Sequence, residues 1–215
     1  MRFNFILSFL FFASIPAFSQ VLTREDSLRA GLIRHETATV ISGYGEAKVM
    51  YDLHSKTATA NLTRNVLFVG HRFSNKISMF SEWEMEDAKV SGGEAGGEIA
   101  LEQMFLKFNL SNDIYLSAGL FTPRIGIINE NHLPTTYNGN DRPFVETMII
   151  PATWRELGIG IYGQTPRISG FNWSFAIVNG LNAEKFGNGT GIREGRFEGR
   201  NATAGNIALT GSLLY

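Results

Sequence analysis

Three carboxylates at alternate positions offer the first chemistry. In "KISMFSEWEME" (76–86), Glu82, Glu84 and Glu86 stand at one parity, and Ile77, Met79, Trp83 and Met85 stand at the other. Carboxylates grouped in this way suit a hard divalent cation. They equally suit a wet surface, and a solvated face is the commoner meaning of such a row. A second set lies in the stretch from Thr122 to Thr153: Arg124, Glu130, His132, Asp141, Arg142 and Glu146. Both signs of charge at one narrow place would sort solutes by charge and size. The same stretch carries an apolar run, Met148 to Ile150. It is also far longer than an ordinary connection. These features predict a segment packed inside the fold, with an external loop as the alternative.

Other chemistries find less support. Nucleophilic catalysis needs a Ser held with a base and an orienting group, and no "GxSxG" or comparable motif marks such a set. His71 and His132 lack metal-ligand spacing, so no metal site is expected. "GGEAGGE" and "GNGTG" are glycine-rich, but neither has the Lys of a phosphate-binding loop or a helix pattern after it. No enzyme and no cofactor is expected.

The elements that must position these residues are strands. From about Thr39 the chain reads as eight runs of period two: "VISGYGEAKVMY", "NVLFVGHRF", "KISMFSEWEME", "EIALEQMFLKFNL", "IYLSAGLF", "ELGIGIYG", "FNWSFAIVNG" and "NIALTGSLLY". Each is close to the roughly 10 residues of a membrane-spanning strand. The connections "SNK", "SND" and "QTPRISG" are short. The others, about 52–64, 87–97, 122–153 and 181–199, are expected to be long. Short and long connections would then alternate, as in an outer-membrane barrel with tight periplasmic turns and long external loops. In such a barrel Trp83 and Met85 face lipid, and Glu82, Glu84 and Glu86 line water. An open sheet edge in lipid would leave backbone amides unpaired at several kcal/mol each, so closure is expected too. Trp83, Trp154, Trp173, Tyr51, Tyr162 and Tyr215 fall near strand ends, where interface girdles sit.

The remaining composition fits. "MRFNFILSFLFFASIPAFSQ" reads as a secretory leader over residues 1–19, with Arg2, a short apolar run and small residues before Gln20. A short helix is expected in "TREDSLRAGLIRHE", within an N-terminal segment 20–37, followed by a barrel domain 38–215. Among 215 residues there are 19 basic and 20 acidic side chains and no cysteine. That balance gives no electrostatic case for nucleic acid, and packing must stabilise the fold without disulfides.

The run "GLFTPRIGIINENHLPTTYNGNDRPFVETMIIPATWRELGIGIYG" resembles the strand, inner loop and strand of Gram-negative outer-membrane porins of the phosphate-selective (O/P-type) superfamily. "GIREGRFEGRNATAGNIALTGSLLY" resembles their following loop and strand. The resemblance implies an all-β, antiparallel transmembrane β-barrel in which the connection after the fifth strand folds inward. It implies a passive channel for small hydrophilic solutes or ions in the outer membrane, and a homotrimer. Such relatives close with about sixteen strands, so this chain would be an N-terminal half. The alternative is a complete eight-stranded structural or adhesive barrel, whose interior is filled by side chains and has no open pore. The last residues, Ile207, Leu209, Leu213 and Tyr215, suit a signal for the barrel-assembly machinery. Phosphate selectivity is not expected, because no ladder of Arg and Lys is visible.

Overall fold

The computed structural model describes residues 4–9, 38–87 and 97–215. The helix expected within 23–36, the cleavage expected after about Ser19 and most of the 87–97 connection lie outside these residues. The strands are β1 (Asn4–Phe9), β2 (Ala38–Asp52), β3 (Thr57–Arg72), β4 (Ile77–Glu86), β5 (Glu98–Asn109), β6 (Ile114–Phe121), β7 (Glu156–Gln164), β8 (Asn172–Asn179) and β9 (Ile207–Leu214). They form one antiparallel sheet in sequence order. β2 to β9 are the eight strands expected from the sequence. β1 lies along the edge of β2, with Asn4 opposite Asp52.

The chain is therefore all-β, with helix confined to single turns among the described residues. The sheet is open: β9 pairs with β8, and the order does not return to β2. An eight-strand barrel closed on itself is not the arrangement seen.

Local chemistry sets the turns. In the β3–β4 turn, Ser74 Oγ accepts hydrogen bonds from the amides of Lys76 and Ile77 at 3.3 and 3.2 Å. Ser111 repeats this in the β5–β6 turn, accepting from Asp113 and Ile114 at 3.2 and 3.1 Å. A side-chain oxygen that takes up two free amides favours a turn over a longer strand. The long connection expected at 52–64 is a correction. Asp52 Oδ1 accepts from the amides of His54 and Ser55 at 2.8 and 3.3 Å, and the strand resumes at Thr57. The run "TATANLTRN" is strand because it continues the β2–β3 ladder, Thr57 pairing with Asp52. The long connections after β6 and β8 leave the sheet at the same end, the one at which β4 finishes.

The two faces of the sheet differ. One carries exposed Leu67, Trp83, Met104, Ile159, Ile177 and Leu209. The other carries buried Glu46, Glu82, Glu84, Gln103, Lys107 and Ser117 beside a strip of aromatic rings. Tyr44, Phe68, Phe80 and Phe105 pass ring to ring across four strands, with centroids 6.1, 5.9 and 5.4 Å apart. Phe121, Ala176 and Val178 continue the cluster, and Leu133 from the β6–β7 connection packs into it. Ser174 and Ser212 meet at 3.0 Å on the same face.

Two irregularities adjust the wall. The register shifts between Glu82 and Trp83, so Glu102 is an extra residue between Leu101 and Gln103. Such a bulge lets neighbouring residues share a face, and Glu102 and Gln103 are both buried. A second shift lies between Glu46 and Ala47. Tyr162 is not a girdle residue: it is buried and stacks on Tyr115 with centroids 4.9 Å apart. Trp154 lies in the β6–β7 connection, where its indole donates to Glu156 at 2.9 Å.

Candidate functional site: a charged cavity under the β6–β7 connection

The 122–155 connection lies on the buried face of the sheet. Thr122 Oγ1 donates to Gln103 at 3.2 Å. His132 and Asn129 are almost wholly buried. The connection also braces itself. Asn129 donates to the carbonyls of Pro123 and Trp154 at 2.8 and 2.9 Å and accepts from the Trp154 amide at 2.6 Å. Glu146 accepts from the amides of Ile127 and Ile128 at 2.9 and 3.4 Å. Gly126 sits beside that carboxylate with φ +72°, and a Cβ there would come within 2.6 Å of Glu146 Oε2. Glycine is needed on both counts. Tyr137 donates to the His132 carbonyl at 2.6 Å.

The six residues expected at a constriction separate into three groups. Asp141 and Arg142 line an open cavity of about 500 Å³ between the connection and the wall. Arg124 and Glu130 form an ion pair at 2.7 Å, with the guanidinium 4.9 Å from the Tyr162 ring centroid. Burial opposes the Arg124 charge, yet Glu130 holds its pKa above the usual value. Burial pushes the Glu130 carboxyl up, against the pull of Arg124. His132 and Glu146 are internal to the packing and do not line the cavity. The His132 ring lies 3.9 Å from both Glu82 and Glu102. Burial holds it down at about 3, and the positive charges of Arg142 and Arg64 add to this.

Of the three alternating carboxylates, Glu84 and Glu86 line the cavity. Glu82 lies beneath the connection and accepts from Gln103 at 2.8 Å. Arg64 gathers the wall carboxylates, at 2.7 Å from Glu46, 3.0 Å from Glu84 and 4.0 Å from Glu86. Lys48 bridges Glu46 at 3.3 Å and Asp141 of the connection at 2.7 Å. Among the described residues no three acidic or histidine side chains are placed to hold a metal ion. Glu84 has a guanidinium where a cation would sit.

On the cationic side of the cavity, sequence reasoning named Arg142 but missed Arg155, Arg193 and Arg196. Arg142, Arg155, Arg193 and Arg196 converge there from two connections and the approach to β7. Arg142 and Arg193 both donate to the Ala152 carbonyl, Arg193 at 3.5 Å. Arg193 also reaches the Thr147 carbonyl at 2.7 Å. Arg196 donates to the carbonyls of Pro151 and Thr153 at 2.6 and 2.7 Å. Arg155 pairs with Glu102, and Arg196 pairs with Glu198 at 2.6 Å. Burial and the nearby Arg193 and Arg155 lower the Arg196 pKa, although Glu198 supports its charge. The β8–β9 connection therefore clamps the end of the β6–β7 connection. The signal was present in "GIREGRFEGR", where Arg193 and Arg196 lie three apart across a tight turn.

No protein-family model matches the chain. It is 38% identical over 176 residues to an uncharacterized protein of Aquifex aeolicus (strain VF5). The match covers 80% of this chain and 40% of that protein, so the chain spans about 40% of the length of the relative it matches. No solved structure matches.

Proposed function

We propose that this sheet is one arc of the wall of an outer-membrane β-barrel channel, passing small hydrophilic solutes or ions by diffusion. The carrying observation is the contrast between its faces. Leu67, Trp83, Ile177 and Leu209 are 44–65% exposed on one face, while Glu46, Glu82 and Glu84 are 1–5% exposed on the other. In water this arrangement is inverted, because a large contiguous apolar face is left uncovered. In lipid that face is buried, and the charged face looks into a wet lumen. No described helix is long and apolar enough to cross a membrane, so crossing would fall to the strands.

The β6–β7 connection would narrow the lumen, with the charged cavity at its edge acting as the filter. The open edges, at β1 with the part of β2 it leaves uncovered and at β9, cannot stay unpaired in hydrocarbon. The reading therefore requires further strands to close the wall, as the sixteen-strand architecture of the resembled porins would provide. Outer-membrane lipid, the barrel-assembly machinery and small solutes are the partners it implies, with a trimer as a further expectation from the resemblance.

The test is electrical. Protein extracted from outer membranes is added to a planar bilayer in KCl. Stepwise, long-lived conductance increments are expected. Stable insertion that leaves the bilayer impermeable would overturn the channel reading and favour a structural barrel.

A further inference from the structure

Charge around the cavity is divided. On the side of the connections stand Arg142, Arg155, Arg193 and Arg196. Glu102 and Glu198 compensate two of these charges. Arg142 and Arg193 are held by carbonyl and hydroxyl oxygens, which orient a guanidinium but leave its charge in place. On the wall side, Lys48 and Arg64 stand against Glu46, Glu84 and Glu86, and Asp141 of the connection, paired with Lys48, adds its charge to that side. One side therefore carries two positive charges in excess, and the other two negative charges.

From this division we propose that the cavity selects dipolar solutes that carry a carboxylate and an ammonium group on one small molecule, as free amino acids do. The inference rests on the channel reading above. A carboxylate would find the donors of Arg142 and Arg193, whose planar forks match its two oxygens. The ammonium would lie toward Glu86, which is half exposed and stands 4.0 Å from Arg64. A cavity of about 500 Å³ exceeds the volume of such a solute, leaving room for bridging water. An anion meets the carboxylates of the wall, and a cation meets the arginines of the connections. Only the dipolar molecule satisfies both sides, so its advantage over either half is a difference in affinity that uses repulsion as well as attraction.

The experiment is interruption of KCl current through the full-length channel by three probes of similar size: 4-aminobutyrate, butyrate and butylammonium. We expect 4-aminobutyrate to block at about one-tenth the concentration of either other probe, a difference of about 1.4 kcal/mol. Arg193→Gln and Glu86→Gln should each reduce that preference. The wild-type comparison needs no variant, so a variant that fails to assemble does not affect it. Equal block by all three probes, or strongest block by butyrate, overturns the inference while leaving a channel in place. Absence of any current overturns the channel reading itself.

Discussion

Arg64 is the residue on which the wall's charges depend. It joins Glu46 on β2 to Glu84 and Glu86 on β4 from the strand between them. Removing one partner of a buried pair leaves the other charge uncompensated, at a cost of about 3–5 kcal/mol. Arg64→Met should lower the unfolding midpoint in urea accordingly, whereas Lys56→Met, in an exposed turn, should leave it unchanged. Glu146 makes a smaller but more local claim. Its loss strips the acceptor from the amides of Ile127 and Ile128, at about 1–3 kcal/mol for the buried Ile128 amide left unsatisfied. Glu146→Ala should make the 122–155 connection cleavable by protease while β2–β5 stay protected. Unchanged cleavage would mean that the carboxylate does not brace the connection. At this scale the sequence was only partly legible. Asp141, Arg142, Glu84 and Glu86 were singled out from the sequence, and the structure places them around one cavity. Arg193 and Arg196 were not, because their meaning depends on carbonyls more than 40 residues away in the chain. No local pattern reports such a contact.

At the scale of the elements, period two was a sound guide wherever one face is apolar, as in β4, β8 and β9. It failed in two kinds of place. In β3 the first residues alternate Thr57, Thr59 and Asn61 with the small or single apolar side chains Ala58, Ala60 and Leu62, a weak period two, so the strand start at Thr57 was read as loop. It is strand because β2 supplies a pairing partner, which a single run of sequence does not reveal. In β5 strict alternation puts Glu102 beside Met104, on the apolar face. A carboxylate there is expensive in lipid, and the bulge turns it inward to Arg155. Leu101 and Gln103 already stand opposite Trp83 and Glu82. Deleting Glu102 should therefore preserve the β4–β5 register and remove only the carboxylate facing Arg155. Retained far-UV circular dichroism and retained heat-modifiable mobility would agree. Loss of the folded band would mean that the bulge is needed for pairing. The β8–β9 connection acts on its neighbour: Arg196→Ala frees the Pro151 and Thr153 carbonyls and should raise single-channel conductance by loosening the constriction.

For the whole molecule, the claim is that the sheet is inside out relative to a water-soluble one. The repeated alternation raised this expectation from the sequence alone. Openness was not legible, since eight strands have the same pattern whether they close on themselves or form an arc. The claim also fixes the sign of surface substitutions. Ile177→Lys should hinder stable insertion by about 2–4 kcal/mol if the position lies near the midplane. Thr210→Lys, on the opposite face beside Ala176, should be tolerated. The most direct measurement is a spin-label scan of β8 and β9 in lipid vesicles, reading accessibility to lipid-soluble oxygen against a water-soluble nickel chelate. The account predicts high oxygen accessibility at Phe175, Ile177, Leu209 and Leu213, and high nickel accessibility at Ser174, Thr210 and Ser212. Equal access of the nickel chelate to both sets, with no alternation, would contradict it.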